Sequence, residues 1–458
     1  MRSLWLAELA WIGERVLPRV LLEEEDGRLQ RVEEIGQAQL PRGARVLSGL
    51  TLPGLANVHS HAFHRALRGR CQAAELGGGD FWGWRRRMYA LATFLEPDQY
   101  FLLARATMGE MTLAGITAVG EFHYLHHQPD GKPYPRPEME EALAAAANEA
   151  GLRLTLLDTC YLRPGFDDAP LEGAAQRFSD RDARNWARRA DRLKESARVR
   201  RGAAIHSVRA LDRDSMRVVA DWAAERGAPL HLHLSEQPAE NSACLRATGL
   251  TPTELVGACG VLGAQTTVVH AIHLSPTDIA RLGESGTRVC VCPTTERDLG
   301  DGVCRADELQ AAGSPLCLGS DSNSTVDLFE EARAIELDRR LVTGRRGWIS
   351  SEDLLRAATC QGMAALGWDA GELRPGALAD FTTLELASPR LAGAGLADLV
   401  PRVVFAAGAG DVASVVVGGE QVVRDGRHLR LGSVAEKLEL VLTELEPAWQ
   451  KALDQLPA

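Results

Sequence analysis

The sequence predicts an α/β protein: a (β/α)8 barrel joined to a small β-domain, a β-sandwich built from both ends of the chain. Three observations predict it. Eight short apolar runs between residues 55 and 321 alternate with longer helical patterns, which is the arithmetic of a closed parallel barrel. The interiors of those runs are largely apolar, as expected of parallel strands covered on both faces. The short β segments that precede the first run return after the last one.

In chain order, residues 1–53 read as short β segments at 19–24, 29–34 and 45–52, with a Glu25-Asp26-Gly27 turn and a Pro53-Gly54 end. Barrel strands are expected at 55–61, 117–122, 153–159, 202–207, 229–235, 267–273, 288–292 and 315–321. Helices are expected between most of them, at 98–113, 138–150, 181–197, 213–226 and 277–284. The segment 64–97 is long for a strand-to-helix connection and carries Gly77-Gly78-Gly79 and Phe81-Trp82-Gly83-Trp84. A long ordered loop at a barrel mouth is usually functional. After helices at 326–341 and 352–366, β texture returns at 378–384 and at 412–423, the latter around a Gly418-Gly419 turn; residues 433–458 are helical in pattern. The expected organisation is therefore 1–53 and 376–432 for the two parts of the β-domain, 54–375 for the barrel, and 433–458 for a helical tail.

Composition removes several classes of function. The 458-residue chain carries a net charge of −11, and only four of its 51 basic residues are lysines. No polybasic run stands out, so no nucleic-acid partner is expected. An acidic protein must hold any anionic ligand with local arginines, because its overall field repels one. No apolar stretch approaches the length of a membrane span, so no membrane partner is expected. The N-terminal Met1-Arg2-Ser3-Leu4-Trp5 meets Glu8 and Glu14 and lacks a signal-peptide core. The nine cysteines are odd in number and scattered; Cys290 and Cys292 share a strand face without a completing pair. They read as reduced core residues of a cytoplasmic protein.

The chemistry lies at the strand ends. His59 and His61 are two apart at the end of the first barrel strand, and period-two spacing turns both toward the barrel axis. His233 lies near the end of the fifth strand, with Glu236 three residues later, and Asp321 ends the eighth. Three imidazoles and a carboxylate can ligate zinc and still admit a water. His231 competes for the fifth-strand position, but His233 is nearer the mouth; on the sixth strand His270 is better placed for substrate than His273. None of the four lysines falls on a barrel strand, so no lysine-bridged metal pair is expected, and the site is read as holding one Zn2+ per chain. Nitrogen and carboxylate ligands suit Fe2+ as well.

The string from Pro53 to Phe63, with His233–Glu236, His270 and Asp321, resembles the amidohydrolase superfamily and its deaminase branch. Phe81-Trp82-Gly83-Trp84-Arg85, Glu121-Phe122-His123-Tyr124, His206-Ser207-Val208-Arg209 and the 320–326 run are similar to the formimidoylglutamate deiminases, over nearly the whole chain. The resemblance implies zinc-dependent hydrolysis of N-formimino-L-glutamate to N-formyl-L-glutamate and ammonia, a step of histidine degradation, in a homodimer. By the same resemblance His59, His61, His233 and Asp321 bind the metal, and Glu236 and His270 contact the reacting group, with Asp321 beside the water. Tyr124 and Arg209 would hold the α-carboxylate of this dicarboxylate substrate, and His206 and Arg85 the distal one, Arg85 being a candidate to reach in from a neighbouring subunit. One departure is His64, where the family more usually has Gln.

The bland readings make Arg209 a surface salt-bridge residue, Tyr124 structural, His123, His126 and His127 a polar loop, and Trp82 and Trp84 packing residues. His428 reads as remote from any site. Two other functions compete: a deaminase of a purine or related ring, whose pocket needs base-edge contacts in place of an arginine pair, and a non-catalytic barrel scaffold.

Overall fold

In the computed structural model, residues 2–36, 39–72, 81–167 and 169–456 are described, without the side chains of Phe81 and Trp82. The Gly77-Gly78-Gly79 run lies outside the described residues. The chain opens with four strands, β1 (Arg2–Ile12), β2 (Arg15–Glu25), β3 (Arg28–Glu34) and β4 (Arg45–Pro53). β1 falls where the sequence reading placed no strand. Its apolar residues run on both sides of Glu8 without clean alternation, because the pairing with β4 shifts register between Ala7 and Leu9. At that bulge the Glu8 carboxylate accepts a hydrogen bond from Gly49 N at 2.8 Å.

Eight parallel strands follow: β5 (Leu55–Ser60), β6 (Ile116–His123), β7 (Arg153–Cys160), β8 (Val199–Ile205), β9 (Leu230–Leu234), β10 (Thr266–His270), β11 (Arg288–Val291) and β12 (Leu316–Leu318). They are hydrogen-bonded in sequence order. β12 is shorter than expected and stops three residues before Asp321, which sits in left-handed backbone at φ 43°. The barrel closes through that residue instead. Asp321 N donates to His59 O at 2.9 Å, and His61 N donates to Asp321 O at 2.9 Å. Gly319 makes the approach possible, since a Cβ there would lie 2.7 Å from His59 Cβ and 2.9 Å from His59 O. The far end of the barrel is plugged by the helix Cys360–Ala365, whose Ala365 carbonyl accepts from His231 Nε2 at 3.0 Å. His231 is thus a barrel filler, neutral because burial drives its pKa down to about 3.

The remaining strands, β13 (Phe381–Leu384), β14 (Val412–Val417), β15 (Glu420–Arg424) and β16 (Arg427–His428), extend the N-terminal sheet in the order β16-β15-β14-β13-β4-β1-β2-β3. Both chain ends therefore share one mixed sheet, joined where β13 runs antiparallel to β4. The sheet curls back on itself: Leu29 N donates to Ala377 O at 2.9 Å, so β3 meets the segment leading into β13. Trp5, Leu22, Leu29, Phe381 and Val416 fill the enclosed core.

Other elements depart from expectation. The segment 64–97 begins inside a 3-10 helix, Ala62–Leu67, and contains an α-helix, Phe81–Phe94. The helix expected at 181–197 is Ala183–Ala190, started by the Asp182 side chain on Asn185 N; its successor Asp191 leaves to accept from Trp222 Nε1. The tail is the helix Val434–Gln455. Among the described residues no helix is long and apolar enough to cross a membrane, and all nine cysteines are free thiols.

Candidate metal centre and active site

Three imidazoles and one carboxylate converge at the barrel mouth. His59 Nε2 and His233 Nε2 are 3.1 Å apart, and Asp321 Oδ1 lies 3.5 Å from both His59 Nε2 and His61 Nε2. Donors bound tetrahedrally to one ion at about 2.0–2.2 Å are spaced about 3.3–3.6 Å apart; the two 3.5 Å separations fall in that range and the 3.1 Å one falls a little short of it. The proton positions agree. His61 Nδ1 lies 2.9 Å from Phe122 O and His233 Nδ1 lies 2.9 Å from His206 O. A carbonyl only accepts, so each Nδ1 carries the proton and each Nε2 offers a lone pair. Burial also pushes the pKa of His61 and His233 well down and lowers that of His59, which keeps them neutral and able to ligate. No described lysine lies on a barrel strand.

His270 sits beside this group in left-handed backbone, φ 72°. Its Nδ1 is 3.3 Å from Glu296 Oε1 and its Nε2 is 3.6 Å from Asp321 Oδ2. Burial opposes its charged form, but Glu236, then Glu296 and Asp321, outweigh burial and hold its pKa up at about 10. His270 is accordingly a donor. Asp321 goes the other way: burial would raise its pKa, but His59 and the other imidazoles hold it well below the usual range. His273 lies aside, with Nε2 on Asp301 O at 2.8 Å. Glu121 supports the turn after His61, accepting from Ala62 N at 2.6 Å; its burial drives its pKa up to about 8.

The cavity over these residues measures about 60 Å³ and is lined by His64, Arg85, Tyr124, His206, Arg209 and Glu236 among others. Every expected substrate contact therefore borders one pocket. His64 Nε2 pairs with Tyr124 Oη at 2.9 Å, and the His64 ring meets the edge of Trp84 at 5.3 Å. The His206 ring packs on Tyr161 at 4.3 Å. Arg209 Nη1 donates to Glu240 Oε2 at 2.6 Å, and Arg85 Nη2 donates to Tyr89 Oη at 2.7 Å. Arg85 reaches the pocket of its own chain from the helix Phe81–Phe94. Past Arg85, Arg209 and Glu236 the cavity widens into an outer chamber of about 620 Å³.

Sequence reading missed Glu240 and Glu296, which carry no motif and gain meaning only through contacts with Arg209 and His270. It also understated His123, His126 and His127. They are buried in a network with Glu140, Asp158, Asp180 and Arg189. His126 places its ring nitrogens 2.9 Å from Glu140 Oε1 and from Thr159 O. A loop with such partners is a structural anchor for the neighbouring Tyr124.

Comparison with known proteins agrees with this geometry. Residues 50–422 match the amidohydrolase family. The chain is 35% identical over 431 residues to a formimidoylglutamate deiminase of Pseudomonas aeruginosa, covering 92% of this chain and 94% of that one. It is 31% identical to an 8-oxoguanine deaminase of the same organism, covering 88% and 89%. The crystal structure of an amidohydrolase from Brucella melitensis superposes over the full length of both chains with a TM-score of 0.86 at 31% identity.

Proposed function

The chain belongs to the amidohydrolase family, and from that premise we propose that it is a hydrolytic deiminase that converts N-formimino-L-glutamate to N-formyl-L-glutamate and ammonia. The observation that supports this reading is that one pocket is lined both by His61, His233, Asp321, His270 and Glu236 and by Arg85, Arg209, His206 and Tyr124. Guanidinium groups match carboxylates in planar, two-pronged hydrogen bonds, and a linear amidine bearing two carboxylates needs that complement. A purine would need partners for its ring edges instead.

His59, His61, His233 and Asp321 would hold one divalent cation, Zn2+ suiting the donor set. When bound, it supplies Lewis acidity and brings the pKa of a water toward neutrality. Asp321 accepts the proton of the attacking water. His270 donates to the oxygen of the tetrahedral carbon, and Glu236 passes a proton to the departing nitrogen, which leaves as ammonia. Arg209 and Tyr124 orient the α-carboxylate, while Arg85 and His206 take the distal one. His64 contributes through its bond to Tyr124.

An ammonia-release assay tests the proposal, with N-formimino-L-glutamate set beside N-formimino-L-aspartate, guanine and 8-oxoguanine. Turnover of the first is expected to exceed that of the others. No ammonia from it at full metal loading refutes the proposal, and release from a purine alone would favour a ring deaminase. Arg209→Gln is expected to keep its metal and raise KM about 10- to 100-fold, the loss typical of a charged hydrogen bond.

A further inference from the structure

A second cavity, of about 370 Å³, lies between the segment after β6 and the helix Ala183–Ala190. That volume falls within the roughly 300–1,000 Å³ of small-molecule sites. Its walls are cationic in a chain whose net charge is −11. Arg136, Arg181, Arg188 and Arg192 all line it. Arg188 donates to Asn185 Oδ1 and Arg192 to Pro135 O, both neutral acceptors. The Arg181 side chain has no hydrogen bond or ion pair among the described residues, and Arg136 reaches only an exposed Glu141 at 3.6 Å. Asp180 is the one carboxylate among the described lining residues, and it is already engaged by Arg189 Nη2 at 2.8 Å and His127 Nε2 at 3.3 Å. His127 also borders the cavity; it is 2% exposed, and its Nδ1 has no partner.

Like charges brought together without counter-charges repel, and here the fold gathers them around a concave space of metabolite size. Buried Arg189 and Asp180 fix the floor, while the outer guanidiniums keep donors to spare. We propose that this cavity is a binding site for a small polyanion bearing phosphate or carboxylate groups, clasped by Arg181, Arg188 and Arg192. The site is separate from the reaction pocket, and its assignment does not depend on the substrate proposed above.

Calorimetric titration of the full chain with pyrophosphate, and in parallel with citrate, at matched ionic strength tests this. Saturable one-to-one binding of at least one is expected; the one that binds tells a phosphate-bearing ligand from a carboxylate-bearing one. The affinity should fall at least about tenfold in Arg188→Gln/Arg192→Gln, which removes two exposed charged donors. It should persist in Arg209→Gln, which alters the reaction pocket. Saturable binding of neither probe, equal binding by the double variant, or loss of binding in Arg209→Gln would each overturn the assignment.

Discussion

Asp321 is held in left-handed backbone with one carboxylate oxygen 3.5 Å from His59 and His61 and the other 3.6 Å from His270. Asp321→Asn preserves its shape but removes the charge that faces all three imidazoles and, in the proposed reaction, the base for the water's proton. Turnover is expected to fall about 100- to 10,000-fold in the ammonia assay, with reduced metal content by elemental analysis. His428 offers a pH test away from the pocket. Its Nδ1 accepts from Arg430 N and Leu431 N, and its Nε2 donates to Ala150 O at 3.1 Å, so the neutral ring is built in. Burial lowers its pKa from 6.5 to about 4. The unfolded chain then binds more protons between those values, so this contribution to stability is present above pH 6.5 and lost as pH falls toward 4. Urea midpoints should drop over that interval more in the wild type than in His428→Gln. At this scale the sequence was legible where spacing encodes direction, as in His59-x-His61. It was opaque for Glu240, Glu296 and the His126 network, whose partners come from distant segments.

The seam between β5 and the end of β12 makes three of the proposed ligands, His59, His61 and Asp321, structural residues as well. Gly319→Ala would drive a methyl against His59 Cβ and the His59 carbonyl. It is expected to cost about 1–3 kcal/mol by chemical denaturation and to weaken metal binding in parallel, because the displaced atoms belong to a proposed ligand. Elements with clean periodicity, such as the helix Arg213–Arg226 and strand β7, were readable from the chain. Strand ends were harder. β12 stops at Leu318 because Asp321 turns into left-handed backbone, and no local pattern signals that. β1 escaped notice because Glu8, at a bulge, interrupts its pattern.

The two sheets are riveted by Arg153 of β7. Its Nε and Nη2 donate to both oxygens of Asp380, at 2.6 and 3.0 Å, with both side chains almost wholly buried. Asp380 also accepts from Gly418 N at 2.7 Å. Asp380→Ala would strand a buried guanidinium and is expected to destabilise the molecule by about 3–5 kcal/mol, measured by urea unfolding. That both chain ends build one β-domain was legible from their shared texture. The register was not, since the Thr51–Thr383 contact that unites them joins residues 332 apart in sequence.

The barrel's rim also supplies its own isotopic gauge. The backbone N–H groups of His61 and Asp321 are engaged across the seam only while the rim is shut. Deuterium uptake at those two amides therefore tracks how firmly the cradle is gripped, and does so without substrate, chromophore or label. A ligand that tightens the mouth slows both amides together, whereas one that seats elsewhere leaves them unchanged.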